Sequence, residues 1–488
     1  MVGANGCLTP QVSAVGCSLY GVSRGITKKG LIISALLLLQ ACALGCVWLL
    51  KFDLIVMKHK LHGKTLNVYK DFVIYKMGLV NESSGEDRLN PEVKSSKRWK
   101  LCFREGTLND SEVSPVHQET ESVAMEQIQT CQCQAEWHGK DCGQPEVIWR
   151  TLLTAKRAAP FLLHRPLAHA PHRLIYMLNG YFFSLDILEL QIKTVAECVD
   201  YFIINIIDTK VRRTRIKAIE RRLKGILKSD QYFTNHCERP TALHAPFSDY
   251  CSPKQAYNSF KYAISQGKIT ATKSTDIFLF TNDFEILNRK ALKFVKYYHN
   301  ANSPNPNRSH LNALQFRLKH VVYGFYWQHP KQTHVSGLLS SFADLDNSAG
   351  GNGDPSLFLH RIVNTAEIPA LIIGDLNHFG GWYCEYCQPP SEIIDALYTT
   401  QTAMDRVNVN LIQFPNMTKN RQIDTTYIEK LIAQGQVIDD YRIKLLKLRS
   451  YSDKYYAPEY AQQFSWKFGN LLLNLHASIE ENIDDEYK

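Results

Sequence analysis

Apolar and polar positions follow two different periods over the central part of the chain. Residues 201–207 (YFIINII) and 277–281 (IFLFT) are short, nearly continuous apolar runs, as is typical of strands buried on both faces of a parallel sheet. Residues 185–197 and 252–268 instead carry apolar side chains at helical spacing. Strand–helix alternation of this kind indicates βαβ units, so we expect an α/β fold around a mostly parallel sheet.

The same patterns predict further elements on both sides of this region. Apolar runs predict additional strands at residues 173–182, 311–319, 320–327 and 370–374. Helical periodicity continues over residues 392–448, and residues 212–228 predict a basic helix whose charges form a solvated face. Residues 344–355 (DLDNSAGGNGDP) are rich in glycine and asparagine and predict a loop.

Two carboxylates, Asp283 and Glu285, directly follow the apolar run 277–281. In open α/β sheets ligands bind where parallel strands end. Hard cations prefer oxygen ligands, which a diphosphate can share, so the pair predicts a site for a divalent cation and a diphosphate. For an isolated pair, a solvated turn before the helical pattern at Asn288 is the more common explanation. The rest of the chain decides between the two.

Residues 31–50 (LIISALLLLQACALGCVWLL) contain no charged side chain. Twenty helical residues span roughly 30 Å, the thickness of the hydrocarbon core of a bilayer. The run is too long for the apolar region of a cleaved signal peptide, and no clear cleavage site follows it. We therefore expect a single membrane anchor at 31–50, preceded by a cytosolic tail at 1–30.

Features after the anchor indicate its orientation, which the basic residues on both of its sides leave open. N-glycosylation sequons occur at Asn81, Asn109, Asn307 and Asn416, and nine of the 13 cysteines also lie downstream. These features favour a lumenal body, and hence the type II topology that Golgi enzymes have. Residues 51–125 are polar and irregular and predict a stem between anchor and body.

The overall composition is that of an ordinary globular protein, with 45% hydrophobic and 21% charged residues. The net charge of +9 is small for 488 residues, and the basic residues are scattered. This charge pattern argues against a nucleic-acid-binding protein.

Residues 126–145 contain the sequence CQCQAEWHGKDC, whose C-x-C-x8-C spacing resembles the last half of an EGF-like module. Segments this short are held together by disulfides rather than by a core. The resemblance implies that Cys133 pairs with Cys142, and that Cys131 pairs with an upstream cysteine, for which Cys102 is the candidate. A zinc site is the alternative, but beside these cysteines it has only His138 as a ligand.

Three further segments are VYGFYWQHP (322–330), HFGGWYCEYC (378–387) and YYAPEY (455–460). They resemble the signature blocks of glycosyltransferase family 17, and the resemblance extends over roughly residues 130–465. It implies a GT-A-like nucleotide-sugar-binding catalytic domain at 146–465, followed by a C-terminal helix and acidic tail at 466–488.

The family resemblance also implies an activity. It is the inverting transfer of GlcNAc from UDP-GlcNAc to the β-linked core mannose of N-glycans on glycoproteins, with a divalent cation, usually Mn²⁺, in the Golgi membrane. It leaves open association with a second copy or with other Golgi glycosyltransferases.

Several residues match the family's blocks, and the resemblance implies their roles. Aromatic faces pack against sugar rings, so Tyr323, Trp327 and Trp382 are candidates for donor or acceptor contact beside Asn282, Asp283 and Glu285. An inverting transfer needs a general base, and the candidates are Asp375, His378 and Asp186. In an oxidising lumen, Cys384 and Cys387 are expected in disulfides, with each other or with Cys198, Cys237 or Cys251, and a redox pair is the alternative.

The family's acidic cluster is altered in this chain. Where the family has a sequence like D-D-x-D-E, this chain has Thr281 to Glu285 (TNDFE), which leaves Asp283 and Glu285 as candidate metal ligands. A second hypothesis follows: a catalytically weakened family member that binds glycans or partner enzymes in the lumen. A secreted glycosidase fits less well, because no second catalytic carboxylate can be paired with a first.

Overall fold

The computed structural model describes residues 71–76, 99–108, 131–154, 164–166, 171–208, 213–238, 253–270, 273, 275–300, 313–342, 371–404, 423–438, 442–450 and 452–477. The predicted tail and anchor, the four sequons and the 344–355 loop lie outside these residues. Within them, no helix has both the length and the apolar character needed to cross a bilayer. All described residues belong to one unit, Val68–Lys488.

Sixteen strands and nine helices are found in the described residues. The strands are β1 Phe72–Lys76, β2 Trp99–Phe103, β3 Trp137–His138, β4 Gln144–Pro145, β5 His164–Pro166, β6 Leu174–Gly180, β7 Tyr201–Asp208, β8 Tyr232–Glu238, β9 Ile277–Asn282, β10 Glu285–Leu287, β11 Tyr298–Asn300, β12 Leu314–Val322, β13 Trp327–Ser341, β14 Leu371–Ile373, β15 Gly381–Glu385 and β16 Leu446–Lys447. The helices are α1 Glu146–Thr154, α2 Leu185–Val195, α3 Arg213–Ile226, α4 Pro253–Ser265, α5 Arg289–Tyr297, α6 Pro390–Met404, α7 Thr425–Gln434, α8 Glu459–Gln463 and α9 Gly469–Leu472.

The main sheet has the strand order β10-β15-β12-β13-β9-β6-β7-β8, with β14 beside β12 and β16 beside β13. The four strands β9, β6, β7 and β8 are parallel to one another. Strand β13 is antiparallel to both of its long neighbours. Five of the nine pairings described in this sheet are parallel, so the predicted α/β fold with a mostly parallel sheet is confirmed.

Helices cover both faces of the parallel strands, which explains why their sequences are apolar throughout. In β6, Tyr176 and Leu178 belong to a core cluster that includes residues of α2, α3 and α5. The alternate residues Ile175 and Met177 belong to a second cluster, with Phe260 of α4. A strand with both faces buried loses the apolar–polar alternation of a half-exposed strand.

Two predicted strand boundaries were wrong. The runs 311–319 and 320–327 are not two strands, because β12 continues from Leu314 to Val322. The chain then turns at Tyr323, whose φ is +66°, and the next strand begins at Trp327. The sequence does not predict this turn, because aromatic and β-branched residues run through it and the left-handed position is occupied by neither glycine nor proline.

The disulfide-stapled segment packs directly on the body. Disulfides join Cys102 to Cys131 and Cys133 to Cys142, the pairs that the EGF-like resemblance implies. Strands β1 and β2 fall inside the predicted stem, and Phe72 and Phe103 are buried against the Tyr297 ring of the body. The folded unit therefore begins earlier in the chain than the predicted stem boundary.

Gly143 offers a test of this packing. A Cβ atom at Gly143 would lie 1.6 Å from Oη of the buried Tyr298. Gly143→Ala is therefore expected to lower the free energy of unfolding by about 1–3 kcal/mol, as overpacking does. Thermal unfolding measures the change, and Gly225→Ala is the matched control, because no atom lies within 4 Å of a Cβ there. A Gly143→Ala variant as stable as the wild type would contradict this packing.

Candidate active site

Four asparagines form a row at the carboxyl end of the parallel strands. Asn282 of β9 is in register with Asn179 of β6, which is in register with Asn205 of β7 and through it with Asn235 of β8. Register partners point to the same face of a sheet. Asn205 is fully buried; its Nδ2 donates to Oδ1 of Asn179 (2.6 Å), and Nδ2 of Asn235 donates to its Oδ1 (3.3 Å).

This asparagine row was not among the predicted site residues, apart from Asn282. Part of the signal is present in the sequence, because Asn179 and Asn205 lie in predicted apolar runs and Asn282 directly follows a third. Aligning those positions requires the strand register, which the sequence does not state. Amide groups both donate and accept hydrogen bonds, so the row suits a polar, uncharged part of a ligand.

Asp283 follows the row and is held by the loop after β6. Its Oδ2 accepts hydrogen bonds from the backbone N–H groups of Tyr181 (3.0 Å) and Phe182 (3.3 Å). A Cβ at Gly180 would lie 2.5 Å from Cγ of Asp283, so only glycine allows this approach. Burial raises the pKa of Asp283 to about 6, against the lowering effect of the two amides, and the charge of Glu285 adds to the increase.

Glu285 points into the protein rather than toward a ligand. Its side chain is 1% exposed, and Oε1 accepts hydrogen bonds from Oγ of Ser336 (2.6 Å) and from Nδ2 of Asn282 (3.3 Å). Nε2 of His334 lies 3.5 Å from the same oxygen. These donors take the place that a cation would need.

A divalent-cation site formed by Asp283 and Glu285 is therefore not supported. Protein donors already occupy Oδ2 of Asp283 and Oε1 of Glu285. In the described part of the chain, no three side chains of the metal-binding types come together. The two carboxylates as folded do not fit a chelated Mn²⁺ ion.

Arginines of α3 approach the same edge of the sheet. The guanidinium of Arg215 donates to the carbonyl of Phe182 (3.2 Å) and lies 5.2 Å from the ring centroid of Phe183. Arg222 forms ion pairs with Asp186 (3.1 Å) and Glu189 (2.7 Å). Asp186, a predicted general base, is thus bound to a cation beside the strand ends.

All three side chains that were predicted to contact sugar are buried, and two of them pack with the α7 region. Tyr323 is buried and donates its hydroxyl proton to the carbonyl of Gln436 (3.0 Å). Trp327 is 7% exposed and donates its indole N–H to the carbonyl of Ile432 (2.8 Å). Both side chains attach the α7 region to the sheet, which is a packing role. Their contact with a sugar stays a prediction.

Trp382 lines a separate cleft of about 470 Å³, together with Tyr455 and Tyr460. The other walls are the end of α2, the start of α5 and residues of the disulfide-stapled segment. Trp382 pairs with Ile286 and Tyr383 pairs with Glu285 across β10 and β15. Since neighbouring residues of a strand point to opposite faces, Trp382 and Glu285 do not face a common cleft.

The other two predicted bases lie in a polar network behind this cleft. Nδ1 of His378 is 3.2 Å from Oδ1 of Asp375, and its Nε2 is 3.6 Å from Oε1 of Glu146. Although burial opposes it, hydrogen bonds from Arg150 and His138 lower the pKa of Glu146 to about 2. Glu146 lines the cleft and was missed, because nothing near it in the sequence marks a site.

Cys384 and Cys387 are joined to each other by a disulfide. The pair follows Trp382 on β15 and fixes the turn after that strand. Cys198, one of the alternative partners, is a buried free thiol, and burial raises its pKa to about 12.

A mostly parallel α/β sheet with polar groups at the carboxyl ends of its strands is an architecture that binds ligands at that edge. No protein-family model matches the chain. It is similar, however, to beta-1,4-mannosyl-glycoprotein 4-beta-N-acetylglucosaminyltransferases. The rat and mouse proteins are each 22% identical over 369 residues, covering 72% of this chain and 63% of theirs. The human protein is 23% identical over 359 residues, covering 70% and 62%.

These matches confirm the resemblance that the sequence motifs indicate, which is to N-acetylglucosaminyltransferases. The chain spans less than two thirds of the length of these relatives.

Proposed function

We propose that this chain is a glycosyltransferase of the bisecting type, N-acetylglucosaminyltransferase III. It transfers GlcNAc from UDP-GlcNAc to the β-linked core mannose of N-glycans in a β-1,4 linkage. The observation that carries this proposal is the similarity to three proteins of that name over about 70% of the chain. In the same proposal residues 31–50 anchor the protein in the Golgi membrane as a type II protein, and the body from residue 146 is lumenal.

The donor binds at the carboxyl end of β9, β6, β7 and β8. The asparagine row offers amide donors and acceptors for the uncharged groups of the nucleotide sugar. Arg215 stands at the same edge. Nε and Nη2 of its guanidinium donate to the carbonyl of Phe182, and in this proposal its other N–H groups donate to the diphosphate. Arg215 thus supplies positive charge to the leaving group without a chelating carboxylate pair.

Asp283 is the general base of this mechanism. Its Oδ2 accepts hydrogen bonds from the N–H groups of Tyr181 and Phe182, and in this proposal Oδ1 faces the acceptor hydroxyl. As that hydroxyl oxygen attacks C1 of GlcNAc, its proton moves to Oδ1 and the bond from C1 to the diphosphate oxygen breaks. UDP leaves with the electron pair, and the configuration at C1 inverts. A base with a pKa near 6 is largely deprotonated at neutral pH and still basic enough to accept this proton.

A second function has its own supporting observation. Asp283 and Glu285 accept hydrogen bonds from internal donors, as carboxylates with a structural role do. A weakened relative that binds glycans or partner enzymes without transfer would have this arrangement. Donor turnover distinguishes the two functions.

The test uses the full chain in detergent micelles with UDP-GlcNAc and a neutral biantennary N-glycan. We expect an acceptor that gains one GlcNAc, β-1,4-linked to the core mannose, as read by mass spectrometry and linkage analysis. Glycan binding without transfer would favour the second function and reject the first. Activity that a chelator abolishes and Mn²⁺ restores would reject the role given to Arg215.

A further inference from the structure

We propose that the cleft between α2, α5 and the disulfide-stapled segment is a second carbohydrate site, which binds a neutral part of the N-glycan away from the reacting hydroxyl. This inference rests on the proposed function for the identity of the glycan. The cleft itself is defined by its geometry, charge and aromatic lining, each taken in turn below.

The cleft lies away from the strand ends. Lys193, Thr194 and Glu197, at the end of α2, line it. The backbone amides that hold Asp283 belong to Tyr181 and Phe182, which precede the start of the same helix. A helix of 11 residues is roughly 16 Å long, so the two regions lie near opposite ends of α2.

The charges that line the cleft balance. Four carboxylates line it, from Glu136, Glu146, Glu197 and Glu459, and so do four cations, from Lys193, Arg289, Lys290 and Lys454. Most of them are paired across the cleft, as Arg289 is with Glu197 (3.2 Å) and Glu459 (3.3 Å), and Lys454 with Glu136 (3.2 Å). A lining with no net charge offers little to a nucleotide diphosphate. It offers many hydrogen-bonding groups to a neutral sugar.

Tyr455 is the aromatic group best placed for a sugar ring. Its backbone carbonyl accepts hydrogen bonds from the indole of Trp382 (3.0 Å) and from the buried ammonium of Lys319 (3.0 Å). Nζ of Lys319 also binds Asp453 (2.8 Å), which holds the segment on both sides of Lys454. The ring is therefore presented by a rigid backbone. Aromatic faces of this kind pack on the C–H faces of sugars.

The Tyr455 hydroxyl is a hydrogen-bond donor without a partner among the described residues. Burial, followed by the charges of Glu136, Glu146 and Asp375, raises its pKa, so the hydroxyl keeps its proton. Glu146, on the cleft wall, stays charged and can accept hydrogen bonds from sugar hydroxyls. Donor, acceptor and aromatic face together are what a saccharide site requires.

The test compares Tyr455→Ala and Tyr455→Phe with a matched control, Tyr262→Ala, in the full chain. Tyr262 is 55% exposed on α4, away from the cleft and the strand ends. Binding of a neutral biantennary N-glycan and of UDP is measured separately by calorimetry. We expect Tyr455→Ala to weaken glycan binding roughly 10- to 100-fold and Tyr455→Phe roughly 2- to 10-fold. UDP binding should not change in any variant.

Binding, unlike turnover, keeps this proposal distinct from the transferase proposal. Glycan binding that weakens in the Tyr455 variants supports the site even if no transfer occurs. Unchanged glycan affinity in both variants, or an equal loss in Tyr262→Ala, overturns it. If Tyr455→Ala does not fold, Tyr455→Phe decides, because it removes a single oxygen atom. A cleft that binds UDP or a peptide instead, with no affinity for the glycan, overturns the choice of ligand.

Discussion

Asp283→Asn is expected to reduce the transfer rate by roughly 10²- to 10⁴-fold, the usual contribution of a general base. The substituted amide oxygen still accepts the N–H groups of Tyr181 and Phe182, so the loop after β6 keeps its conformation. Donor binding should change little. Steady-state kinetics with UDP-GlcNAc and the biantennary acceptor, together with UDP affinity, measure the effect.

The dependence on pH identifies the role. In the wild type, kcat/KM should rise with pH through about 6, as Asp283 loses its proton, and this limb should be absent from Asp283→Asn. Glu285→Gln is the comparison variant: it removes the charge that adds to the raised pKa of Asp283, so the limb should remain and move to lower pH. An Asp283→Asn variant that recovers its activity at high Mn²⁺ concentration would instead make Asp283 a metal ligand.

The pH dependence of stability is a second measurement on Asp283→Asn. The pKa of Asp283 is raised in the fold from its ordinary value of 3.8 to about 6, so the protonated carboxyl is favoured there. Its stabilising contribution is present below pH 3.8 and is lost as pH rises through 6. Asp283→Asn cannot ionise, and it should be more stable than the wild type at pH 8 but not at pH 3.5.

Of the substitutions proposed here, Trp327→Ala should lower the free energy of unfolding most. Removing a buried tryptophan costs about 3–5 kcal/mol through lost contacts and the cavity left behind. The substitution would also leave the carbonyl of Ile432 without its indole donor, and it would open space beside Gly435. We expect a large fall in the thermal midpoint, because α7 would lose its attachment to β13.

Trp466→Ala is the matched control, since this tryptophan is 82% exposed. Its thermal midpoint should stay close to that of the wild type. The experiment also separates a packing role from a ligand-binding role for Trp327. A Trp327→Ala variant that unfolds at the wild-type temperature and binds donor or acceptor weakly would restore the sugar contact and contradict the core assignment.

The sequence predicts the α/β class well because apolar runs and helical periods are local signals. It also places Asp283 at the end of a buried strand, where the structure has it. It does not reveal that Asn179, Asn205 and Asn235 share one row, because that depends on the pairing of strands far apart in the chain.

The sequence also cannot tell apart the roles of the aromatic residues. The sequence assigns Tyr323, Trp327 and Trp382 alike to sugar contact, since all three lie in family-like blocks. All three are buried, but their packing partners differ: the first two pack with α7, and the third packs in another cluster and also lines the cleft. Glu146, in contrast, was missed by the sequence analysis. Its place in a network with His378 depends on a turn more than 200 residues away in the sequence.

Because the disulfide-stapled segment packs on the body, the position of a proteolytic cut determines whether the cleft stays whole. Residues from this segment and its neighbours complete the cleft wall, and Phe72 and Phe103 cover the aromatic rings at the end of α5. A form cleaved after Thr154 would lose this part of the wall and uncover those rings. A cut before Asp71 would leave both intact. Under the proposed type II anchor, only the second kind of cleaved protein would keep the whole cleft.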